Sequence, residues 1–223
     1  MDSEKNAAAG DAVAQNADEL RQFVVGILQT NCYAYVSQGQ ALVVDPGGEG
    51  RQVAEHLGDV DVKYIVATHG HGDHVGGVLA LKEACGAAYW IHPADAERAR
   101  HAGEPSEMGR SYDDNAPEPD GLLSEGQVIK VGTATFTIME TPGHTPGGVC
   151  LIGGGTAEGV VFVGDTLFPS SHGRTDLEGG DEATILASLA RMAREIPAPA
   201  TLFCGHGPHT TMAFELGCNP FLR

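Results

Sequence analysis

Three histidines and an aspartate lie within one short run of the chain, His-Gly-His-Gly-Asp-His at positions 69–74. The run follows residues 62–67, an apolar segment typical of a buried strand, and precedes residues 75–85, whose apolar spacing predicts a helix. Imidazole and carboxylate groups this close together suit a borderline divalent metal. Gly70 and Gly72 allow the tight backbone that such convergence needs. Because α/β proteins place chemistry where a strand ends and a helix begins, the sequence predicts an α/β fold with a metal-binding loop.

Three later residues have the same character, since each is flanked by glycine at the end of a predicted strand. His144 lies in a Gly/Pro-rich turn, Asp165 directly follows an apolar strand, and His206 follows the last predicted strand. Each alone has an ordinary explanation as a turn, capping or surface residue. Together with residues 69–74 they supply five imidazoles and two carboxylates. Seven donors suit two metal ions that share a carboxylate, whereas one tetrahedral zinc would need only four.

The hydrophobic pattern predicts a repeated order of strands followed by helices. The predicted strands are residues 23–28, 31–37, 41–45, 62–67, 87–91, 128–131, 134–140, 149–152, 160–163 and 201–204. The predicted helices are residues 49–57, 75–85, 94–101 and 182–195, with a short helix near the C-terminus. Two packed sheets with helices outside them are the simplest arrangement of these elements. We expect residues 1–18 to be a mobile lead-in, residues 19–223 to be one domain, and residues 103–120 to be a surface excursion.

Charge and composition narrow the class of partner. The 223 residues carry a formal net charge of −17, which argues against binding nucleic acid or an anionic membrane surface. No apolar run approaches the roughly 20 residues of a membrane span, and no secretory signal pattern is visible. Five scattered cysteines fit reduced thiols better than a disulfide framework. We therefore expect a cytoplasmic enzyme acting on a small molecule, as a monomer or small homo-oligomer.

From about residue 23 onward, the chain resembles the metallo-β-lactamase fold superfamily, and within it the glyoxalase II (hydroxyacylglutathione hydrolase) branch of the short, single-domain type. The run at 69–74 and its three downstream partners occur in the family's order. Further similar motifs are Thr-Asn-Cys-Tyr at 30–33, Val-Asp-Pro-Gly-Gly at 44–48, Gly-Asp-Thr-Leu-Phe at 164–168, Gly-Arg-Thr-Asp at 173–176, His-Gly-Pro at 206–208 and Asn-Pro-Phe at 219–221. The resemblance implies an αββα sandwich, with two mixed β-sheets and helices on the outer faces. It also implies that the C-terminal helical extension by which long glyoxalase II enzymes bind glutathione is absent.

The resemblance assigns a role to each candidate site residue. The first metal would be held by His69, His71 and His144, and the second by Asp73, His74 and His206. Asp165 would bridge the two ions, and Asp73 and Asp165 would be the catalytic carboxylates. Asp45 would support a metal ligand, or simply stabilise its own turn. Arg174 would bind a substrate carboxylate, or form a salt bridge with Asp176. His172 has no family role, and we expect an exposed loop histidine there. The cofactors implied are two divalent ions, with zinc expected and iron or manganese possible.

The activity implied is hydrolysis of small hydroxyacyl thioesters such as S-lactoylglutathione, by attack of a metal-bridging hydroxide. A thiolate leaving group suits such a site, because a thiol pKa of about 8.5 makes a strong general acid unnecessary. One alternative is a mononuclear-iron persulfide dioxygenase, a branch that also shows a Gly-Arg-Thr-Asp run. The motifs at 206–208 and 219–221 favour the hydrolase. A lactonase or a non-catalytic member is a further alternative.

Overall fold

The computed structural model describes residues 18–104 and 112–222. Apart from Asp18, the lead-in expected at residues 1–18 lies outside the described residues. Residues 105–111 of the expected surface excursion also lie outside them.

The first half of the described chain alternates strands and helices. Its elements are β1 (Glu19–Val25), β2 (Thr30–Ser37), β3 (Gln40–Val44), α1 (Gly50–Leu57), β4 (Asp61–Val66), α2 (Gly72–Val75), α3 (Val78–Cys85), β5 (Ala88–Ile91), α4 (Pro93–Ala99) and β6 (Gly121–Leu122). The second half follows with β7 (Val128–Val131), β8 (Ala134–Glu140), β9 (Val149–Gly155), β10 (Val160–Gly164), β11 (Leu167–Phe168), β12 (Ser171–His172), α5 (Glu182–Glu195), β13 (Thr201–Cys204), β14 (Thr210–Thr211), α6 (Met212–Cys218) and a 3-10 helix (Pro220–Leu222). No helix among the described residues is both long and apolar enough to cross a bilayer.

Two six-stranded mixed sheets form the centre of the fold. The first sheet has the order β1-β2-β3-β4-β5-β6, and the second has the order β14-β13-β10-β9-β8-β7. In the first sheet β3, β4, β5 and β6 run parallel, while β1, β2 and β3 pair antiparallel. In the second sheet the pair β10–β13 is parallel, and the other pairs are antiparallel. The strands β11 and β12 form a separate small hairpin.

Side-chain alternation along the strands produces three apolar layers. On β2, Cys32 and Ala34 belong to a cluster shared with the helices α1 and α3, whereas Tyr33 and Tyr35 face the second sheet. The cluster between the sheets includes Phe136 and other residues of the second sheet. A third cluster lies between the second sheet and α5. The αββα sandwich expected from the sequence is therefore confirmed.

The predicted boundaries were wrong at the first strand. It was expected at 23–28, but β1 begins at Glu19 and ends at Val25. Gly26 and Gln29 adopt positive φ angles of 67° and 55°, and the Gln29 N–H donates to the Gly26 carbonyl at 3.2 Å. This turn reverses the chain into β2, so the strand cannot continue to residue 28.

The helix predicted at 75–85 begins three residues later, as α3 at Val78, and Gly76 and Gly77 separate it from the short helix α2. The Gly77 N–H donates to the Pro46 carbonyl at 2.8 Å. A Cβ at Gly77 would lie 2.8 Å from that same oxygen. The break therefore allows the metal-loop segment to pack closely against the Pro-Gly-Gly turn after β3.

The described end of the expected surface excursion is largely exposed, as expected, but it is anchored to the domain at two points. Ala116 is buried, and its N–H donates to the Ala99 carbonyl at 3.0 Å. The Asp114 N–H donates to the Gly76 carbonyl at 3.1 Å. Proline content alone does not separate an exposed loop from one whose backbone groups find partners, and here they do.

Candidate metal centre

Five strands end at one common edge, and each is followed by a predicted site residue. Asp45 follows β3, the run 69–74 follows β4, and His144 follows β8. Asp165 follows β10, and His206 follows β13. The sheets are joined at this edge, because the Val149 N–H donates to the Thr68 carbonyl and the Asn31 N–H donates to the Gly205 carbonyl.

All seven predicted donor residues converge there, in three overlapping groups. Within each group one donor atom per residue lies within 4.8 Å of the others. The groups are His69–His71–His144, His69–His74–Asp165 and Asp73–His74–His206. The first and third groups coincide with the two ligand sets expected from the sequence.

Asp165 lies between these two sets. Its Oδ1 is 3.4 Å from His74 Nε2. Its Oδ2 is 3.7 Å from His144 Nε2 and 3.5 Å from His206 Nε2. A carboxylate that faces both sets is placed to be shared by two ions.

Three buried donor atoms of the cluster make no hydrogen bond among the described residues. They are His69 Nε2, His71 Nε2 and Asp165 Oδ1. His71 Nδ1 and His144 Nε2 face each other at 2.9 Å, and His74 Nε2 and His206 Nε2 face each other at 3.4 Å. Buried polar atoms are normally satisfied, so this concentration of nitrogen and oxygen donors fits divalent metal ions.

The opposite nitrogens of three imidazoles are held by the protein. His144 Nδ1 donates to the Arg174 carbonyl at 2.7 Å, and His74 Nδ1 is 3.0 Å from Asp45 Oδ2. His69 Nδ1 is 3.1 Å from Thr68 Oγ1, whose hydroxyl donates to Asp45 Oδ2 at 2.7 Å. Because Nδ1 carries the proton in each ring, Nε2 keeps its lone pair for a ligand.

The titration behaviour of the cluster reflects its mixture of imidazoles and carboxylates. Burial and the neighbouring imidazoles lower the pKa of His69 well below its usual value, and burial followed by His144 lowers the pKa of His71 to about 3. Burial opposes charge on His74, but Asp165, Asp73 and Asp45 outweigh it and raise the pKa of His74. Burial raises the pKa of Asp165, but His74, His206 and His144 together outweigh it, so that the pKa is lowered. The ionised carboxylates, together with the neutral rings of His69 and His71, favour a bound cation.

Glycines let the ligand segments approach one another. A Cβ at Gly205 would lie 2.2 Å from Asp165 Oδ1 and 2.6 Å from His74 Cε1. At Gly173 it would lie 1.8 Å from the Asp165 carbonyl oxygen. No side chain could occupy either position without moving the ligand loops.

A buried carboxylate that the sequence analysis missed ties two ligand loops together. Asp95, in the first turn of α4, is fully buried. Its Oδ2 accepts from the Gly70 N–H at 2.8 Å, and its Oδ1 accepts from the Gly147 N–H at 2.8 Å. These loops carry His71 and His144. The available signal was position alone, because Asp95 follows a strand of the same sheet as the metal loop.

A cavity of about 1100 Å³ opens onto the cluster. His71, Asp73, His144, Asp165 and His206 lie on its wall. Its apolar lining is supplied by Leu28, Ala94, Ala102, Tyr112, Pro146, Phe168 and Leu177. The cavity is also lined by charged or titratable side chains, namely Glu97, Arg98, His101, Glu104, Arg174 and Glu178. The cavity is large enough for a small organic substrate.

Of two other predicted residues, Arg174 forms the salt bridge given as its alternative role, and His172 departs from its expected exposure. Arg174 lines the cavity, but its Nε and Nη2 donate to the two carboxylate oxygens of Asp176 at 2.6 and 2.8 Å. His172 was expected to be exposed, which is wrong. Its side chain is only 10% exposed, and its ring packs edge-on against the Phe221 ring, with 4.2 Å between the ring centroids. Its Nε2 lies 3.4 Å from Glu182 Oε1.

Comparison with known proteins agrees with this geometry. Residues 25–206 match the model of the Metallo-beta-lactamase superfamily. Hydroxyacylglutathione hydrolase GloC of Haemophilus influenzae is 32% identical over 89% of this chain and 95% of its own length. Among solved structures, the BLEG-1 B3 metallo-beta-lactamase is 34% identical, with a TM-score of 0.82 over 92% of this chain and 99% of that one. TTHA1623, solved in a di-iron-bound form, is 33% identical, with a TM-score of 0.80 over 91% of this chain and 100% of that one. The chain therefore belongs to the metallo-beta-lactamase superfamily.

Proposed function

We propose that the protein is a two-metal hydrolase of small hydroxyacyl thioesters, of the glyoxalase II type. The observation that carries this proposal is the convergence of seven donors in two overlapping sets beside a large cavity. The similarity to GloC over nearly the whole of both chains supports the thioester as substrate.

In this proposal, His69, His71 and His144 hold one ion, Asp73, His74 and His206 hold the other, and Asp165 contacts both. When bound, the ions supply Lewis acidity toward a carbonyl oxygen and toward the sulfur of the leaving group, and they acidify water. We expect zinc. The di-iron form of TTHA1623 makes iron the first alternative.

The protein's own groups contribute orientation and charge. Asp73 and Asp165 are ionised, because His74 and the other imidazoles outweigh their burial and lower their pKa values. As acceptors on the cavity wall, these two carboxylates can hold the protons of an attacking water. The apolar wall near Phe168 and Leu177 displaces bulk water from the acyl group.

A direct assay tests the proposal. Purified protein loaded with zinc or iron is incubated with S-lactoylglutathione while loss of the thioester is followed, and metal content is measured by elemental analysis. We expect close to two ions per chain and hydrolysis that is lost in Asp165→Ala and His71→Ala. The matched control is His56→Ala, because His56 is exposed and its ring nitrogen contacts the Gln52 carbonyl of its own helix, away from the cavity.

Two other activities are outcomes of the same experiment. Oxygen uptake with glutathione persulfide, one iron per chain and no thioester loss would replace the proposal with a persulfide dioxygenase. Hydrolysis of a β-lactam is the second candidate function, because the BLEG-1 structure is so similar. Efficient β-lactam turnover without thioester turnover would favour it.

A further inference from the structure

Two arginines line the cavity, and their partners differ. The Arg174 guanidinium is bound along one edge by both carboxylate oxygens of Asp176. The Arg174 backbone, in turn, orients His144 through its carbonyl. The edge that would clamp a substrate carboxylate thus already holds a carboxylate, so Arg174 is a poor candidate for that role.

Arg98 has no such partner. It lies on α4, is half-buried, and donates from Nη2 to the Glu178 backbone carbonyl at 2.6 Å. Within residues 18–104 and 112–222, no carboxylate forms an ion pair with it, whereas Arg100 next along pairs with Glu97 and Glu118. A guanidinium carries five N–H donors, so most of those on Arg98 remain for a ligand.

The position of Arg98 is fixed relative to the candidate metal centre. One turn earlier on α4, Asp95 binds the Gly70 N–H between two predicted ligands. The packing is close enough that a Cβ on Gly70 would lie 3.3 Å from Arg98 Cβ. The backbone that carries Arg98 is therefore packed against the metal loop, and the Arg98 side chain lines the same cavity as His71.

We propose that Arg98 binds a carboxylate on the thiol carrier and so makes the enzyme selective for thioesters of small anionic thiols. This inference rests on the proposed thioester hydrolase. A planar guanidinium matches a carboxylate with two parallel hydrogen bonds. With a net charge of −17, the chain repels anions at long range, so a local unpaired cation is needed to hold one.

Matched substrates test the selectivity. S-lactoylglutathione carries carboxylates on its thiol, whereas S-lactoyl-N-acetylcysteamine presents the same acyl group on a neutral thiol. Arg98→Gln keeps a side-chain donor for the Glu178 carbonyl but removes the charge, and Arg98→Lys keeps the charge but loses the planar fork. We expect Arg98→Gln to raise KM for S-lactoylglutathione about tenfold or more, which is about 1.4 kcal/mol of binding. Its KM for the neutral thioester should change less than twofold. The KM of Arg98→Lys for S-lactoylglutathione should lie between those of Arg98→Gln and the wild type.

The control is Arg100→Gln, which removes the same charge two residues away, where the side chain does not line the cavity. It should match the wild type on both substrates. Equal changes of KM on both substrates in Arg98→Gln, or no change on either, would overturn the inference and leave Arg98 as a link between α4 and residue 178.

A binding measurement separates failure of this inference from failure of the proposed function. Calorimetric titration of the metal-loaded protein with S-methylglutathione requires no turnover. Weaker binding in Arg98→Gln than in Arg100→Gln supports the carboxylate site even if the wild type hydrolyses neither thioester. Equal affinity in the two variants overturns it, whatever the activity assay shows.

Discussion

The imidazole of His74 lies with its Nδ1 3.0 Å from Oδ2 of the buried Asp45 carboxylate. The same carboxylate accepts from the Thr68 N–H and hydroxyl, so it fixes the backbone at the start of the metal loop. Asp45 itself has a φ angle of +53°, a conformation that Asn tolerates and most other residues do not.

We therefore expect Asp45→Asn to keep the turn but to weaken metal binding about 10- to 100-fold, as seen for groups that orient metal ligands. Competition with a chromophoric chelator measures the affinity. Asp61→Asn is the control, because Asp61 is an exposed residue at the other end of β4, paired only with Lys63. Unchanged affinity in Asp45→Asn would assign Asp45 to turn stability alone.

Asp95→Ala removes the shared acceptor of two loops. The Gly70 and Gly147 N–H groups would lose their partners, and each buried unsatisfied donor costs about 1–3 kcal/mol. The free energy of unfolding, measured in urea, should fall accordingly. Metal retention should fall as well, because the loops that carry His71 and His144 are no longer fixed relative to each other. Glu97→Ala on the exposed side of the same helix should change neither quantity. A loss of stability with full metal retention would limit Asp95 to a role in folding.

Gly205→Ala places a methyl group against two predicted ligands. The new Cβ would lie 2.2 Å from Asp165 Oδ1 and 2.6 Å from His74 Cε1, so one of them must move. We expect loss of most bound metal and of activity, with far-ultraviolet circular dichroism close to that of the wild type. Gly217→Ala is the matched control, because among the described residues no atom outside its own helix lies within 4 Å of its Cβ position. Normal metal content in Gly205→Ala would mean that metal binding does not depend on the close packing of residue 205 against Asp165 and His74.

Metal removal should lower the thermal stability of the whole protein. Binding to the folded state alone contributes about 4 kcal/mol when free metal is 1,000 times its dissociation constant. We expect chelation to lower Tm and zinc to restore it, and His71→Ala should show a smaller zinc-dependent rise. Differential scanning calorimetry at matched zinc concentrations provides the measurement. An equal rise in wild type and variant would place the stabilising ion elsewhere.

The parts of the fold that could be predicted from sequence are those encoded locally. The strand 128–131, the strand 134–140 and the helix 182–195 have the bounds that their periodicity predicted. The seven donor residues could also be picked out as candidates, because each closely follows an apolar strand and all but His74 stand beside glycine. Their common edge then follows from the rule that site residues gather at the carboxyl ends of parallel strands.

The parts that could not be predicted depend on contacts between distant residues. Asp95 and Gly147 are 52 positions apart, and nothing near either residue marks the pair. The Arg98 guanidinium meets the carbonyl of a residue 80 positions away. The ion pair of Arg174 with Asp176 could be predicted from sequence as an alternative role. Side chains two residues apart on an extended chain share a face, and Asp176 is two residues after Arg174.

The order of the donors along the chain has a consequence for biosynthesis. Four of the seven lie in residues 69–74, but His206 lies beyond β13 and therefore leaves the ribosome long after that run. β13 is also an interior strand of its sheet, between β10 and β14. A nascent chain that already displays the histidine run can therefore bind metal only incompletely. The full centre forms only when the second sheet closes, so ions bound before that point must be held by few ligands or exchanged.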